Sequence, residues 1–296
     1  MHRTARLSQF GFLFELVAVC IVIGIATAGL LLRARLPVGP LADGDTWGYL
    51  RPALNWLSGL GFEQTYGRDW LYPALLARIL KVSGAFCAIT YVQRFLGLAS
   101  ILFYWLAWRS WLRLLPLQKP AWRWACLIVT LLLLALYALN ADQALLENSI
   151  RPEGVLAFFE LLCLYCLISF FLARWKWRRT GATVAFGAAT LGLSYAILLL
   201  KPSWGFSLVS TLLPMIAGTF GKATRIMRFG PLLAGAAAFA FLFLFRKYWV
   251  SKRTRSFFSL VCLFVFTPSR YWKRLLRRSH RVCITLACRT GYFTKN

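Results

Sequence analysis

The run FLFELVAVCIVIGIATAGLLL, from Phe12 to Leu32, holds one acid, Glu15, and no base. At about 1.5 Å per residue a helix of this length crosses a hydrocarbon core of about 30 Å. That reading decides the fold class, because a core helix of a soluble domain does not need so long an uninterrupted apolar stretch. A cleaved leader is the rival, since Ala26-Thr27-Ala28 has the small-residue form of a cleavage site. The apolar run continues through Leu30, Leu31 and Leu32, which favours an uncleaved anchor behind a short tail carrying Arg3 and Arg6.

The same character recurs along the chain. Apolar runs fall near 72–90, 92–115, 124–140, 154–173, 182–200, 203–220 and 229–245. The 72–90 run contains Arg78 and Lys81, so it reads as an interfacial or re-entrant helix rather than a crossing. Seven spans remain, in an all-α polytopic bundle occupying residues 1–245, with a first outer loop over 33–91. Composition agrees: of 296 residues, 59% are hydrophobic and 15% charged. A soluble domain of this size exposes too much surface to hide that much apolar area.

The formal charge of +26 rests on 35 Lys and Arg against nine acids. In a polar domain such a balance points to nucleic acid. Here the bases lie in short clusters between apolar runs, the positive-inside pattern, so membrane lipids are the expected partner and nucleic acid is not. With the N-terminus cytoplasmic, Arg109, Arg113, Lys119, Arg123, Arg174, Lys176, Arg178, Arg179, Lys222, Arg225 and Arg228 all fall inside. Seven of the nine acids (Asp43, Asp45, Glu63, Asp69, Asp142, Glu147 and Glu153) then fall outside, leaving Glu15 and Glu160 within spans. Ionisable groups in a span are expected to face protein or water. These signals fit a multi-pass inner (plasma) membrane protein.

The agreement between charge and topology fails after the 229–245 run. Arg246, Lys247, Lys252, Arg253 and Arg255 follow where the chain should be outside, and no acid occurs after Glu160. Residues 246–296 read either as a short hairpin with altered topology or as out-of-frame sequence. The eight cysteines do not form a disulfide pattern. Cys163 and Cys166 have metal-pair spacing, but no second pair accompanies them, so both read as small apolar residues. Trp105, Trp108, Trp111, Trp122, Trp124, Trp175 and Trp177 read as an aromatic belt at the inner ends. Gln93-Arg94 reads as the outer-interface start of its span.

The stretch that carries chemistry is Leu41-Ala-Asp43-Gly-Asp45-Thr-Trp47-Gly-Tyr49-Leu50. Trp47, Leu50, Leu54 and Leu57 make an apolar stripe at helical spacing, predicting an amphipathic helix on the outer leaflet. Pro52 interrupts that helix or sits near its start, and Gly59 and Gly61 stop it. Asp45 stands at its N-terminus, where it serves as a cap, as a catalytic acid, or as both. Glu147 and Arg151, four apart, either pair on one helix face or bind a ligand.

The segment Gly44-Asp45-Thr46 through Tyr49-Leu50, with Gly61-Phe62 and Gly67-Arg68-Asp69-Trp70-Leu71-Tyr72-Pro73, resembles the N-terminal signature of the C-type (GT-C) membrane glycosyltransferases. Within them it is similar to the branch of protein mannosyltransferases and bacterial lipid A aminoarabinose transferases. Glu147-Asn-Ser-Ile-Arg151-Pro-Glu153 and Lys201-Pro202 extend the likeness, which covers roughly residues 10 to 245. The resemblance implies transfer of a sugar from a polyprenyl-phosphate donor to an acceptor hydroxyl outside the membrane. Asp45 matches the essential acid and Asp43 is a weaker match. It further implies substrate-binding roles for Arg68, Tyr72, Arg151, Glu153 and Lys201, whose cations suit a phosphate leaving group. Asp43, Asp45 and the phosphate could ligate a divalent metal, though nothing in the pattern requires one. Members of the class are longer, so a shortened, inactive remnant or a non-catalytic membrane protein is the competing expectation. A transporter or flippase would place ionisable residues at mid-membrane in repeated halves, which this sequence does not do.

Overall fold

The computed structural model describes residues 2–62, 68–115 and 120–219. The expected span at 229–245, the basic tail, and Glu63, Gly67, Lys119, Lys222, Arg225 and Arg228 lie outside the described residues. Within them the chain is all-helical, with a single isolated parallel bridge between Leu41 and Ser149. The elements are α1 (His2–Ala34), α2 (Thr46–Leu57), α3 (Leu71–Ser83), α4 (Cys87–Leu114), α5 (Pro120–Ala138), α6 (Ala141–Leu146), α7 (Glu153–Phe171), α8 (Thr180–Leu200) and α9 (Phe206–Thr219).

Five of these segments are long and apolar enough to cross a membrane: Glu15–Ala34, Cys87–Leu114, Ala121–Ala138, Glu153–Trp177 and Thr180–Leu200. They alternate in direction. The C-terminal ends of α1, α5 and α8 therefore meet the N-terminal ends of α4 and α7 at one end of the bundle, called here the site end. α7 packs chiefly on α4 and α8, while α1 packs on α5 and α4. At the opposite end α7 continues as a π-helix over Leu172–Trp177, and Arg178 ends it with a left-handed φ of 51°.

Two short helices cover the site end. α3 buries Tyr72, Leu76 and Leu80, one helical face, and leaves Arg78 exposed. Its two bases therefore lie off the buried stripe; Lys81 sits 5.3 Å over the Trp56 ring. The 72–90 run is thus no single helix. It breaks at Gly84, whose φ of 70° is the left-handed form that ends helices, and α4 starts at Cys87, earlier than the expected 92. α2 runs through Pro52 rather than stopping there. Its buried face is Thr46, Leu50 and Ala53, with Leu54 and Leu57 packed beside the core. Trp47, expected on that stripe, is turned out and exposed. Under both helices lies the main core, which includes Tyr72, Leu76, Ile89, Ile150, Val155, Leu156, Ile197 and Leu200.

Two further expectations need correction. Gln93 and Arg94 are buried rather than interfacial, because α4 begins a turn and a half earlier and places them inside the bundle. Trp105 is buried against Ala18 and Leu127 and is no belt residue, whereas Trp111, Trp122, Trp124, Trp175 and Trp177 are exposed. The 203–220 run opens with a 3₁₀ turn over Pro202–Trp204 and continues as α9 from Phe206, while position 220 and those after it lie outside the described residues.

Candidate functional site

The loop after α1 brings Asp43 and Asp45 to the site end, and the two acids are held in different ways. Asp43 Oδ1 accepts hydrogen bonds from the Asp45 amide at 2.9 Å, the Thr46 amide at 3.0 Å and the Thr46 hydroxyl at 3.2 Å. The Asp43 amide in turn donates to Thr46 Oγ1 at 2.9 Å. Asp43 is therefore the residue that ties down the first amides of α2. Asp45, expected as the side-chain cap, occupies the cap position but makes no capping bond. Asp43 closes an Asx turn on the Asp45 amide and also bonds the Thr46 amide, the first of α2, so the loop is fixed to the helix start without the Asp45 side chain.

Each acid faces an arginine. Asp43 Oδ2 accepts from Arg151 Nε, and Asp45 Oδ1 accepts from Arg68 Nη2. Arg151 also stands 3.8 Å from Asp45, so it spans both carboxylates. The expected pairing of Arg151 with Glu147 does not form; Glu147 turns inward to Arg33 instead. Lys201, at the end of α8, donates to Glu153 Oε1 at 2.6 Å, while Glu153 Oε2 is buried with no hydrogen-bond partner among the described residues. All seven sequence-singled residues meet here: Asp43, Asp45, Arg68, Tyr72, Arg151, Glu153 and Lys201.

The floor of the cluster is aromatic. Tyr49 and Tyr72 meet edge to face with centroids 5.3 Å apart, and the Arg68 guanidinium lies 5.0 Å over the Tyr49 ring. Arg68 passes directly above Gly48, where a Cβ would run into the guanidinium. Tyr72 is fully buried, and its hydroxyl accepts from Gln93 Nε2 at 3.3 Å.

Electrostatics follow the geometry. Burial pushes the Asp43 carboxyl up, but Arg151, the Asp45 amide and Thr46 outweigh it and hold the group below its ordinary range. The hydrogen bond to Asp43 raises Arg151 further, against a smaller desolvation effect. Burial, with Glu153 and Asp45 adding to it, raises the Tyr49 phenol despite Arg68. Burial and then the Glu153 charge push the Tyr72 phenol well above its ordinary value, so it remains a neutral hydroxyl.

A second polar layer sits beneath; Gln93, Arg94 and Glu147 read from the sequence in other roles, and nothing there brings them together with Arg33. Arg33, at the end of α1, is 1% exposed and grips Glu147, 0% exposed, through Nε at 2.6 Å and Nη2 at 2.7 Å. Arg33 also donates to the Ala138 carbonyl at 2.9 Å, which joins α1 to α5. Arg94 Nε donates to Asn148 Oδ1 at 2.8 Å and its Nη2 to the Pro37 carbonyl at 2.7 Å. Asn148 returns a bond from Nδ2 to the Pro37 carbonyl at 2.9 Å, and its own carbonyl accepts from the Leu41 amide at 2.7 Å. Gln93 Nε2 closes the layer on the Ser149 carbonyl at 3.0 Å. An arginine at the end of an apolar run ordinarily reads as a base reaching for headgroups; only the position of Glu147 in space reveals otherwise.

For a metal, the cluster offers Asp43 and Asp45, both already facing arginines. No group of three or more His, Cys, Asp or Glu side chains gathers among the described residues. That donor set does not fit a resident metal. Cys163 and Cys166 are buried in α7, with Cys163 3.3 Å from the Ser194 hydroxyl. Comparison of the chain with protein-family models, with curated proteins and with solved structures found no match.

Proposed function

We propose that the chain is a multi-pass membrane glycosyltransferase that moves a sugar from a polyprenyl-phosphate donor to an acceptor hydroxyl on the outer face. The observation that carries this reading is the convergence of acids and bases at the site end. Asp43 and Arg151 meet across 108 positions of sequence, at the end of the bundle that holds the acids. The opposite end carries exposed Arg113, Arg178 and Arg179, which supports a cytoplasmic N-terminus and a site facing out.

In the reaction the acceptor oxygen attacks the anomeric carbon, and the bond from that carbon to the phosphate oxygen breaks. The electron pair leaves with the phosphate, and the hydroxyl proton passes to a carboxylate. Asp45 suits that role because it is half exposed, at 51%, and owes nothing to the helix cap. Arg68, Arg151 and Lys201 would hold the departing phosphate, with guanidinium groups matched to its oxygens. Tyr72, neutral and buried, orients the floor.

A second reading has its own support. Every base of the cluster already has a carboxylate partner, which also suits a membrane protein that keeps this fold without the chemistry. Transfer from radiolabelled polyprenyl-phosphate sugars, in membranes carrying the chain or its Asp45→Asn variant, separates the two. The enzyme reading expects transfer that falls at least about 100-fold with Asn, the usual size for loss of a general base. No transfer by the well-expressed parent chain across several donors favours the non-catalytic reading, and transfer that survives Asn removes Asp45 from the role of base.

A further inference from the structure

The site is electrically closed on itself. Three carboxylates (Asp43, Asp45 and Glu153) face three bases, so an arriving phosphate finds no unpaired cation among Arg151, Arg68 and Lys201 in this arrangement. Opening one of the three pairs would give the phosphate an unpaired cation, and the pairs are not equal. Asp43 is fixed by three local hydrogen bonds besides Arg151. Glu153 and Lys201 join α7 to α8, two helices of the bundle. Asp45 makes no capping bond, is the most exposed member at 51%, and is held by Arg68 and the longer contact to Arg151.

From this asymmetry the geometry points to a carboxylate-for-phosphate exchange at Arg68: a lipid phosphate ester enters by displacing Asp45 from the guanidinium, and the displaced carboxylate becomes the one left beside the acceptor hydroxyl. The inference rests on the donor-binding reading given above and adds its order of events, in which donor binding itself frees the base. No bond to carbon or phosphorus changes in the exchange; Arg68 trades one anionic oxygen for another. Gly48 is the seat that makes it work. Because position 48 has no Cβ, the guanidinium lies flat over α2 and against Tyr49, held in place by the ring when its partner changes. The Tyr49 face supplies an attraction that does not depend on which anion is bound.

The exchange makes a prediction that a simple binding site does not: removing the carboxylate strengthens phosphate binding. The measurement is equilibrium binding of farnesyl phosphate to the purified full chain in phosphatidylcholine nanodiscs, by calorimetry, with farnesol as the phosphate-free control. Asp45→Asn is expected to tighten farnesyl phosphate by about two- to five-fold, the range that release of a half-exposed ion pair supports. Arg68→Gln is expected to weaken it about tenfold or more. Gly48→Ala, which retains every charge and favours the helix, is expected to weaken it by a smaller factor by lifting Arg68 from its seat. Competition by phosphatidylglycerol or by inorganic phosphate, with the same order among variants, would assign the exchange to headgroups or to free phosphate instead of an isoprenyl carrier.

Unchanged or weaker binding by Asp45→Asn overturns the exchange, as does a parent chain that binds farnesyl phosphate no better than farnesol. The two readings part cleanly. Tightening by Asp45→Asn without any sugar transfer would sink the transferase and leave the exchange. Transfer by the parent chain without that tightening would do the reverse.

Discussion

Asp43 and Asp45 sit two residues apart in one loop, yet the structure separates their duties. Asp43 accepts the first amides of α2 and a bond from Arg151; Asp45 accepts from Arg68 and leaves the backbone alone. Asp43→Ala is therefore expected to lower stability by about 1–2 kcal/mol, the usual loss for a helix-end cap. Asp45→Asn should cost less, about 0–1 kcal/mol, since it breaks only a half-exposed pair. Thermal unfolding of the detergent-solubilised variants reads both. The pH dependence has a definite sign. The folded Asp43 carboxyl lies below its ordinary 3.8, so its contribution is complete above that value and is lost as pH falls through the folded value. As pH falls from the ordinary carboxyl value of 3.8 through the lower folded one, the parent chain should lose melting temperature relative to Asp43→Asn, and parallel curves would remove Asp43 from this role. The sequence reveals that both acids belong to one loop beside a helix start. It does not reveal which one caps, because an Asx turn and a side-chain cap place an Asp at positions two residues apart with the same residue preference.

At the scale of elements, the apolar runs make most of the helices legible and their faces only partly so. Arg78 and Lys81 correctly separate α3 from the crossings, because a base off the buried stripe marks a helix with one wet face. The sequence does not show that Trp47 turns outward, since a stripe at period 3.6 fits two adjacent faces of a short helix equally well. Nor does it show which glycines are contacts. Gly97 in α4 and Gly192 in α8 look alike in the sequence, both lying inside apolar helices. In the structure a Cβ at Gly97 would run into the Glu147 carboxylate, whereas one at Gly192 meets nothing within 4 Å. Gly192→Ala should accordingly raise stability by about 0.5–1 kcal/mol through helix propensity and reduced freedom of the unfolded chain. Gly97→Ala should lower it despite the same propensity gain, because Glu147 is pinned by Arg33 and has no room to retreat. Melting temperatures that move in the same direction for both would contradict the packing of α4 against the connection before α7.

Across the whole molecule, that connection is the strap on which the site hangs. Glu147 binds α1 through Arg33, Asn148 holds the loop before Asp43, and Arg151 reaches Asp43 itself. Three residues of one short stretch thus fix three points along residues 33–43, which is why the loop carrying both acids is set without a sheet or a disulfide. None of this can be read from spacing, because Arg33 and Glu147 are 114 positions apart and each has a plausible local partner or a headgroup to face. Burial pushes the Glu147 carboxyl up, and Arg33 pulls it back only in part. A buried pair of this kind is costly to break singly and cheap to remove whole, since a lone buried charge has nothing to offset its lost hydration. Arg33→Met alone and Glu147→Gln alone should each cost about 3–5 kcal/mol. The Arg33→Met variant should also show a pH signature, because its unpaired Glu147 binds a proton more readily when folded than when unfolded. Its melting temperature should therefore fall as pH rises from the ordinary carboxylate value near 4.5 toward the higher folded one. The double variant Arg33→Met with Glu147→Gln should recover most of the single losses, as neither change then strands a charge. If the double variant is instead as unstable as the sum of the singles, the two groups act independently, and the strap joining α1 to the acid loop is held by Arg94 and Asn148 alone.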